Sequence, residues 1–272
     1  DYRVIRPPLL EFWEHADAFT RLVDEPYHSP NLLTVHRVRR RIRDDGYKVV
    51  IVGSGGDELL AGYPHEYALP FLASLLAGGR YAAFAREIAA ASGAQRRALL
   101  RRLVLGAPSP AAAHPDLACL VAGRGRLGTR PPNGFEARLR ANWGPWKMNY
   151  WLRAGNPVQY GVPIETRAPF LDYRVAELVF QMPATYLIRH GFSKYVLRRA
   201  LEPLLPLPIA WGRRKRGYPF PWREWLAASK PWILANAAGS SLECVDAATL
   251  PARYDALASA DPGGLWRIAS IL

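Results

Sequence analysis

An α/β fold is predicted, with one strand of a parallel sheet near the start of the chain and a long, mainly helical remainder. Three observations predict it. Val49-Val50-Ile51-Val52 is a continuously apolar, β-branched run of the kind that is buried on both faces of a parallel sheet. It stops abruptly at the turn Gly53-Ser54-Gly55-Gly56, which leads into the acidic pair Asp57-Glu58 and a run able to start a helix. On either side, apolar residues recur at helical spacing, with proline and glycine marking the helix ends.

The elements follow in order. Residues 9–23 read as an amphipathic helix with Leu10, Trp13, Phe19 and Leu22 near one face, ended at Asp24-Glu25-Pro26. Ser29-Pro30 supplies an N-cap and a first-turn proline for a second helix carrying Leu32, Val35 and Ile42, and Gly46 is its expected stop. The strand comes next. One strand makes no sheet, so its neighbours are expected upstream of Asp1. From Pro70 to about Gly106 the chain is rich in Ala and Arg, with helices separated at Gly78-Gly79 and Ser92-Gly93. A Pro/Gly-rich connection is expected from Ala107 to Asn133, and helices return from Phe135 onward. Asp172 is a natural cap for a helix running toward Gln181 and ended by Met182-Pro183. Beyond Trp225 the helices read as packing elements. The expected division is an α/β part over residues 1–69 and a mainly helical part over 70–272.

Bulk properties narrow the function classes. The chain has 272 residues and is 50% hydrophobic, enough for one large domain or a domain with a helical lobe. No apolar run approaches the roughly 20 residues needed to span a bilayer. Asp1-Tyr2-Arg3-Val4 has no signal-peptide character and no initiator Met, so the chain is expected to be part of a longer polypeptide. Cys119 and Cys244 show no metal-ligand spacing and need no disulfide, which fits a reducing, cytoplasmic setting. The histidines stand singly, so no zinc site is expected. A net charge of +13 permits an anionic partner, but much of it is Arg along helical stretches such as Arg80 to Arg102, which read as solvated faces. Nucleic acid is therefore not the expected partner, and a basic RNA-binding or non-catalytic module remains only as a competing class.

Four stretches carry chemistry. In open α/β sheets, ligands bind beyond the carboxyl ends of strands, so the Gly53–Gly56 turn is either a nucleotide or phosphate site or a plain strand–helix joint. Asp57 can hold a cation bound together with phosphates. Glu165 and Arg167, before a proline turn, form either a structural ion pair or the rim of an active site. Ser193 reads as an N-cap, which puts Lys194 on the first helical turn, where a cation faces the helix dipole and so looks placed for a ligand. Arg213-Arg214-Lys215-Arg216, between glycines, is either a mobile loop that closes over polyphosphate or a solvated charge run.

Together these blocks resemble the synthetase domain of glutamine-dependent asparagine synthetases and their relatives. Val52 to Tyr63 looks like the family's Ser-Gly-Glu-Gly-Ala-Asp-Glu-Leu-Phe-Gly-Gly-Tyr. Glu165 to Asp172 looks like its Glu-x-Arg-x-Pro-Phe-Leu-Asp. Lys194 to Arg198 is similar to its Lys-x-x-Leu-Arg, and Arg214 to Trp225 to its Arg-x-Lys-x-Gly-Phe…Pro…Trp. The resemblance implies the C-terminal part of a doubly wound, parallel-sheet domain of the ATP-pyrophosphatase type. It implies an ATP- and Mg2+-dependent ligase that activates a carboxylate as an acyl-adenylate and passes it to ammonia or an amine, with a glutaminase domain or subunit as a candidate partner. It makes Asp57 the magnesium ligand and Lys194 the essential lysine, with Ser54 and Glu165 beside the reaction. It puts nucleotide contacts at Val52, Gly53, Gly55 and Gly56, and pyrophosphate contacts at Arg214 and Lys215.

Two departures qualify it. The family's pyrophosphate loop, Ser-Gly-Gly-x-Asp-Ser, is absent, because Ser54-Gly55-Gly56-Asp57 lacks the spacer and the second serine. That loop is expected upstream of Asp1, and the chain alone is expected to be inactive. Ser54 also stands where asparagine synthetases carry glutamate and β-lactam synthetase a tyrosine. Serine is a poor general base at its ordinary pKa. Ring closure of the β-lactam or lasso-peptide type is therefore a competing chemistry.

Overall fold

The computed structural model describes residues 3–6, 8, 11–23, 29–91, 93, 96–97, 134–213, 220–240, 247–260, 262–269 and 272. Asp24-Glu25-Pro26, the 107–133 connection, Arg214 and Lys215 lie outside them. The described chain is a mostly helical α/β structure with a small parallel sheet.

The N-terminal helical stretch is two helices, α1 (Glu11–Glu14) and α2 (Ala16–Val23). Between them the His15 amide bonds back only three residues, to the Phe12 carbonyl at 3.2 Å, which tightens the chain at the joint. In α3 (Asn31–Asp44) the expected start and stop are both present. Ser29 Oγ accepts from the Asn31 amide at 3.2 Å. At the far end Gly46 donates to Arg43 at 2.8 Å and Tyr47 to Ile42 at 3.2 Å, the paired bonds of a Schellman stop.

Strand β1 (Val49–Ile51) does have a partner within this chain, contrary to expectation. It pairs in parallel with β2 (Glu165–Arg167), in the register Val49 to Glu165, Val50 to Thr166 and Ile51 to Arg167. Ala168, extended at φ −121° before Pro169, carries the second strand straight into its turn. Buried Arg39 on α3 locks β2 in place, donating to Thr166 Oγ1 and the Ile164 carbonyl, both at 2.8 Å. The prediction of burial on both faces needs correction for the described residues. Ile51 is 73% exposed and Val49 39%, so the described residues leave that face of the two-stranded sheet uncovered.

After the glycine turn come the short α4 (Gly56–Leu59), then α5 (Pro64–Ala77) and α6 (Tyr81–Ala90), divided at Gly78-Gly79 as expected. The helical stretch expected from Pro70 begins earlier, at Pro64, and Pro70 sits inside α5. Next are α7 (Phe135–Trp143) and α8 (Met148–Tyr160), then β2 and a 3-10 turn over Pro169–Leu171. Asp172 caps α9 (Tyr173–Gln181) as predicted, accepting from the Arg174 amide at 2.9 Å. The short α10 (Ala184–Leu187) runs into an antiparallel hairpin, β3 (Ile188–Arg189) and β4 (Phe192–Ser193). Helices α11 (Tyr195–Leu201), α12 (Leu207–Ala210), α13 (Trp222–Ala238), α14 (Leu250–Ala260) and α15 (Pro262–Ala269) complete the described chain.

Two apolar cores hold these elements. One joins α1–α3 to Val158 of α8 and to α13–α15 through Phe12, Phe19, Trp225, Ile233, Tyr254 and Trp266. Phe12 meets Trp225 and Trp266 edge-on, with centroids 5.9 and 5.4 Å apart. Trp13 stacks on Trp232 and donates to buried Ser229 at 2.7 Å. The helices beyond Trp225 are thus packing elements, as expected. The second core lies under the glycine turn and joins Leu59, Tyr67, Phe71, Leu139, Val179 and Leu187. No helix among the described residues is long and apolar enough to cross a membrane.

Candidate functional site

The glycine turn leaves β1 at its carboxyl end and is set by two kinds of contact. Val52 donates to the Arg167 carbonyl at 2.9 Å, extending the parallel pairing up to the turn. Phe170 and Leu171 then pack beneath it. Gly55 has φ +88°, and a Cβ there would stand 2.6 Å from Leu171 Cδ2 and 3.0 Å from Trp143, so neither backbone nor space admits a side chain. Gly53 and Ser54 are exposed at the lip, while Gly55 and Gly56 are buried beneath them.

Asp57 follows on α4 and meets Lys194, which directly follows the β3–β4 hairpin. Lys194 Nζ lies 2.9 Å from Asp57 Oδ1, with side chains 27% and 24% exposed. Gly62 makes that approach possible. A Cβ on Gly62 would sit 2.0 Å from Asp57 Oδ1, 2.5 Å from Lys194 Cε and 2.7 Å from Asp57 Cα. The Gly62 amide also donates to the Asp57 carbonyl at 2.7 Å. A carboxylate is a hard oxygen ligand of the kind Mg2+ takes, and only glycine at 62 lets Asp57 and Lys194 pack this closely. Among the described residues, no three His, Cys, Asp or Glu side chains gather into a metal-binding group.

The expected capping of Lys194 is corrected. Ser193 belongs to β4, and Lys194 is itself the N-cap of α11, in the left-handed region at φ +56°. A non-glycine residue holds that conformation only where its surroundings impose it. Here the Lys194 amide donates to the Leu60 carbonyl at 3.2 Å, and its carbonyl accepts from Arg198 at 3.0 Å. Arg198 in turn donates to Ser193, Ala210 and Gly212 carbonyls at 2.8, 2.7 and 3.0 Å, tying the hairpin to the start of the basic loop. Burial holds the Arg198 guanidinium below its usual pKa.

Glu165 takes the ion-pair reading. It sits opposite Val49, at the opposite end of β2 from the glycine turn, and its exposed carboxylate accepts from Arg167 Nε at 2.7 Å. That bond lowers the Glu165 pKa. Ser54 stands with Gly53 at the lip of the turn, and Val52 at its base.

A polar group behind Asp57 had no signal in local sequence. Buried Glu58 accepts from the Tyr63 hydroxyl. Lys147 Nζ lies 3.8 Å over the Tyr63 ring and pairs with Glu66. Asn142 bridges Glu66 Oε2 at 2.9 Å and the Tyr67 hydroxyl at 2.8 Å. Burial, then the bond to Glu58, raises the Tyr63 pKa and keeps the phenol protonated. Burial alone would raise Glu66, but hydrogen bonds from Lys147 and Asn142 and the Lys147 charge hold it below its ordinary value. Glu58 and Tyr63 lay inside the stretch that drew notice; Lys147 and Asn142 reach it only through the fold.

Three of the four sequence blocks therefore converge on one place. A family model described as asparagine synthase matches residues 10–270. A Mycobacterium tuberculosis H37Rv protein that carries the provisional name of a glutamine-hydrolysing asparagine synthetase is 29% identical over 264 residues, covering 80% of this chain and 37% of that protein. The Mycobacterium bovis protein of the same name matches to the same extent. Glutamine-hydrolysing asparagine synthetase 1 of Bacillus subtilis strain 168 is 38% identical over 81 residues, covering 30% of this chain and 13% of its own. The chain thus spans 37% of the length of the mycobacterial relatives. No solved structure matches. The chain belongs to the asparagine synthase family.

Proposed function

We propose that this chain is the greater part of the synthetase half of an ATP- and Mg2+-dependent ligase that forms an amide by way of an acyl-adenylate. The observation that carries the reading is the Asp57–Lys194 pair at the foot of the glycine turn, packed against Gly62, where no side chain would fit. In the first step a substrate carboxylate oxygen attacks the α-phosphorus of ATP, and the bond to the β-phosphate breaks to release pyrophosphate. In the second, ammonia or an amine attacks the acyl carbon, AMP leaves with the bonding pair, and the nitrogen loses a proton.

Magnesium, when bound, would neutralise phosphate charge during the displacement. Asp57 supplies its protein oxygen. Lys194, set by its left-handed backbone, places a cation where charge builds on the phosphate and acyl oxygens. The pair is largely shielded from water, so metal and phosphate would have to take over each partner's charge as it separates. Val52, Gly53, Gly55 and Gly56 form the wall against the nucleotide, and Arg214 and Lys215 the loop toward pyrophosphate. Glu165 has the smallest part, because Arg167 occupies its carboxylate.

The open face at Val49 and Ile51 supports the wider doubly wound sheet, its further strands drawn from preceding sequence of the same polypeptide. A glutaminase domain or subunit is the expected ammonia source. The exposed Ser54 hydroxyl, where a carboxylate would serve ammonia transfer, favours a second reading in which the nucleophile is an amine of the substrate itself. Mass analysis of products from the full-length protein, ATP, Mg2+ and candidate carboxylates tests both. AMP with an amide supports the first reading, and AMP with loss of water from a single substrate supports the second. ATP turnover that yields ADP would overturn both.

A further inference from the structure

A second basic site borders the hairpin that leads to Lys194. Where α6 meets the α10–β3 corner, a cavity of about 140 Å³ is lined by Arg80, Arg86, Glu87, Thr185, Arg189 and His190. The arginines of α6 looked like a solvated face in sequence. The fold instead brings Arg189 and Thr185 across from a different segment, so that three guanidinium groups and a hydroxyl border one small concavity.

Their charge is only partly answered within the cavity. Glu87 is the one carboxylate in the lining, and both its oxygens are taken by backbone: it accepts from the His190 amide at 2.7 Å and the Gly191 amide at 2.8 Å. That pair of bonds clips the turn of the hairpin, where His190 and Gly191 have φ of +53° and +71°, to the side of α6. Arg86 Nε donates to the Ala82 carbonyl of its own helix at 3.2 Å, and Arg189 lies 5.6 Å over the Tyr195 ring. Among the described residues, Arg80, Arg86 and Arg189 form no ion pair with a carboxylate. Like charges gathered around a concavity focus a positive potential there and attract a counter-ion. Guanidinium forks match tetrahedral oxyanions, and the cavity has room for one.

We propose that this cavity binds a phosphate-type oxyanion, either inorganic phosphate or the phosphate end of a small monoester. The site is separate from the glycine turn and does not depend on the ligase reading. Its bound anion would bridge α6 to the hairpin that leads through Phe192 and Ser193 to Lys194.

Calorimetric titration of the chain with inorganic phosphate, with glycerol phosphate and with acetate, at ionic strength held constant with chloride, tests this. Saturable binding of phosphate or of the monoester, with acetate much weaker, is expected, and the tighter of the two identifies the source. Arg86→Gln and Arg189→Gln should each weaken binding by about tenfold, since each removes a charge-assisted hydrogen bond. Arg223→Gln, which removes the same charge from exposed surface on α13, should change nothing. All three side chains are exposed, and unchanged circular dichroism would show that the variants fold. The proposal is overturned if binding does not saturate, if Arg223→Gln weakens it as much as Arg86→Gln, or if it persists in the Arg86→Gln/Arg189→Gln double variant. It is equally overturned if Lys194→Met abolishes binding, because the anion would then belong to the glycine-turn site.

Discussion

Lys194 Nζ sits 2.9 Å from Asp57 Oδ1, joining the end of the first strand's turn to the N-cap of a helix from the second half of the chain. Everything proposed for the site depends on that contact. It requires a left-handed lysine, a glycine at 62 and a turn packed on Phe170 and Leu171.

Gly62→Ala should damage both stability and site. The added methyl would meet Asp57 Oδ1 at 2.0 Å and the Asp57 backbone at 2.7 Å, so backbone as well as side chains would have to shift. Overpacking of this kind costs about 1–3 kcal/mol. Urea unfolding should show that loss, whereas Gly53→Ala, with open space around its Cβ, should sit within about 0.5 kcal/mol of wild type.

Glu66 should contribute to acid sensitivity. Its folded pKa is lowered by Lys147 and Asn142. Its stabilisation is therefore complete above the unfolded value of about 4.5 and lost as pH falls through the lower folded value. Unfolding free energies taken from pH 6 to pH 3 should decline less steeply in Glu66→Gln than in wild type. Parallel curves would remove Glu66 from the acid-sensitive groups.

Trp225 should be among the costliest truncations in the helical lobe. It is 1% exposed and packs against Phe12, Trp13, Phe220 and Trp266. Trp225→Ala should cost about 3–5 kcal/mol in chemical denaturation, as large-to-small changes in aromatic cores do.

Much of the local structure was legible in sequence, and the site's assembly was not. Ser29, Gly46 and Asp172 announce helix ends because capping chemistry is local, and each performs that task. The β-branched run at 49–51 announced a parallel strand for the same reason. Its partner at Glu165–Arg167 could not be read, because only the fold brings two such distant segments together. Lys194 shows the same divide. Serine before lysine looked like an ordinary cap, but the hairpin claims Ser193, and the Leu60 carbonyl pulls the Lys194 backbone into the left-handed region. Lys147 and Asn142 reach Tyr63 and Glu66 from another helix and carry no local mark.

The open face of β1 yields a test of the wider sheet. If preceding strands of the same polypeptide cover Ile51, Ile51→Lys should destabilise the full-length protein by about 2 kcal/mol or more. In the present chain, where Ile51 is 73% exposed, the same change should cost less than about 0.5 kcal/mol. Equal small effects in both would argue against the covering strands.

The central claim is that Lys194 and Asp57 serve carboxylate activation by ATP. Carboxylate-dependent exchange of labelled pyrophosphate into ATP, measured on the full-length protein and its Lys194→Met variant, tests it most directly. Exchange in the wild type that falls by about 10²–10³-fold in Lys194→Met, with the fold retained, is the predicted result. Wild-type exchange in Lys194→Met would contradict it.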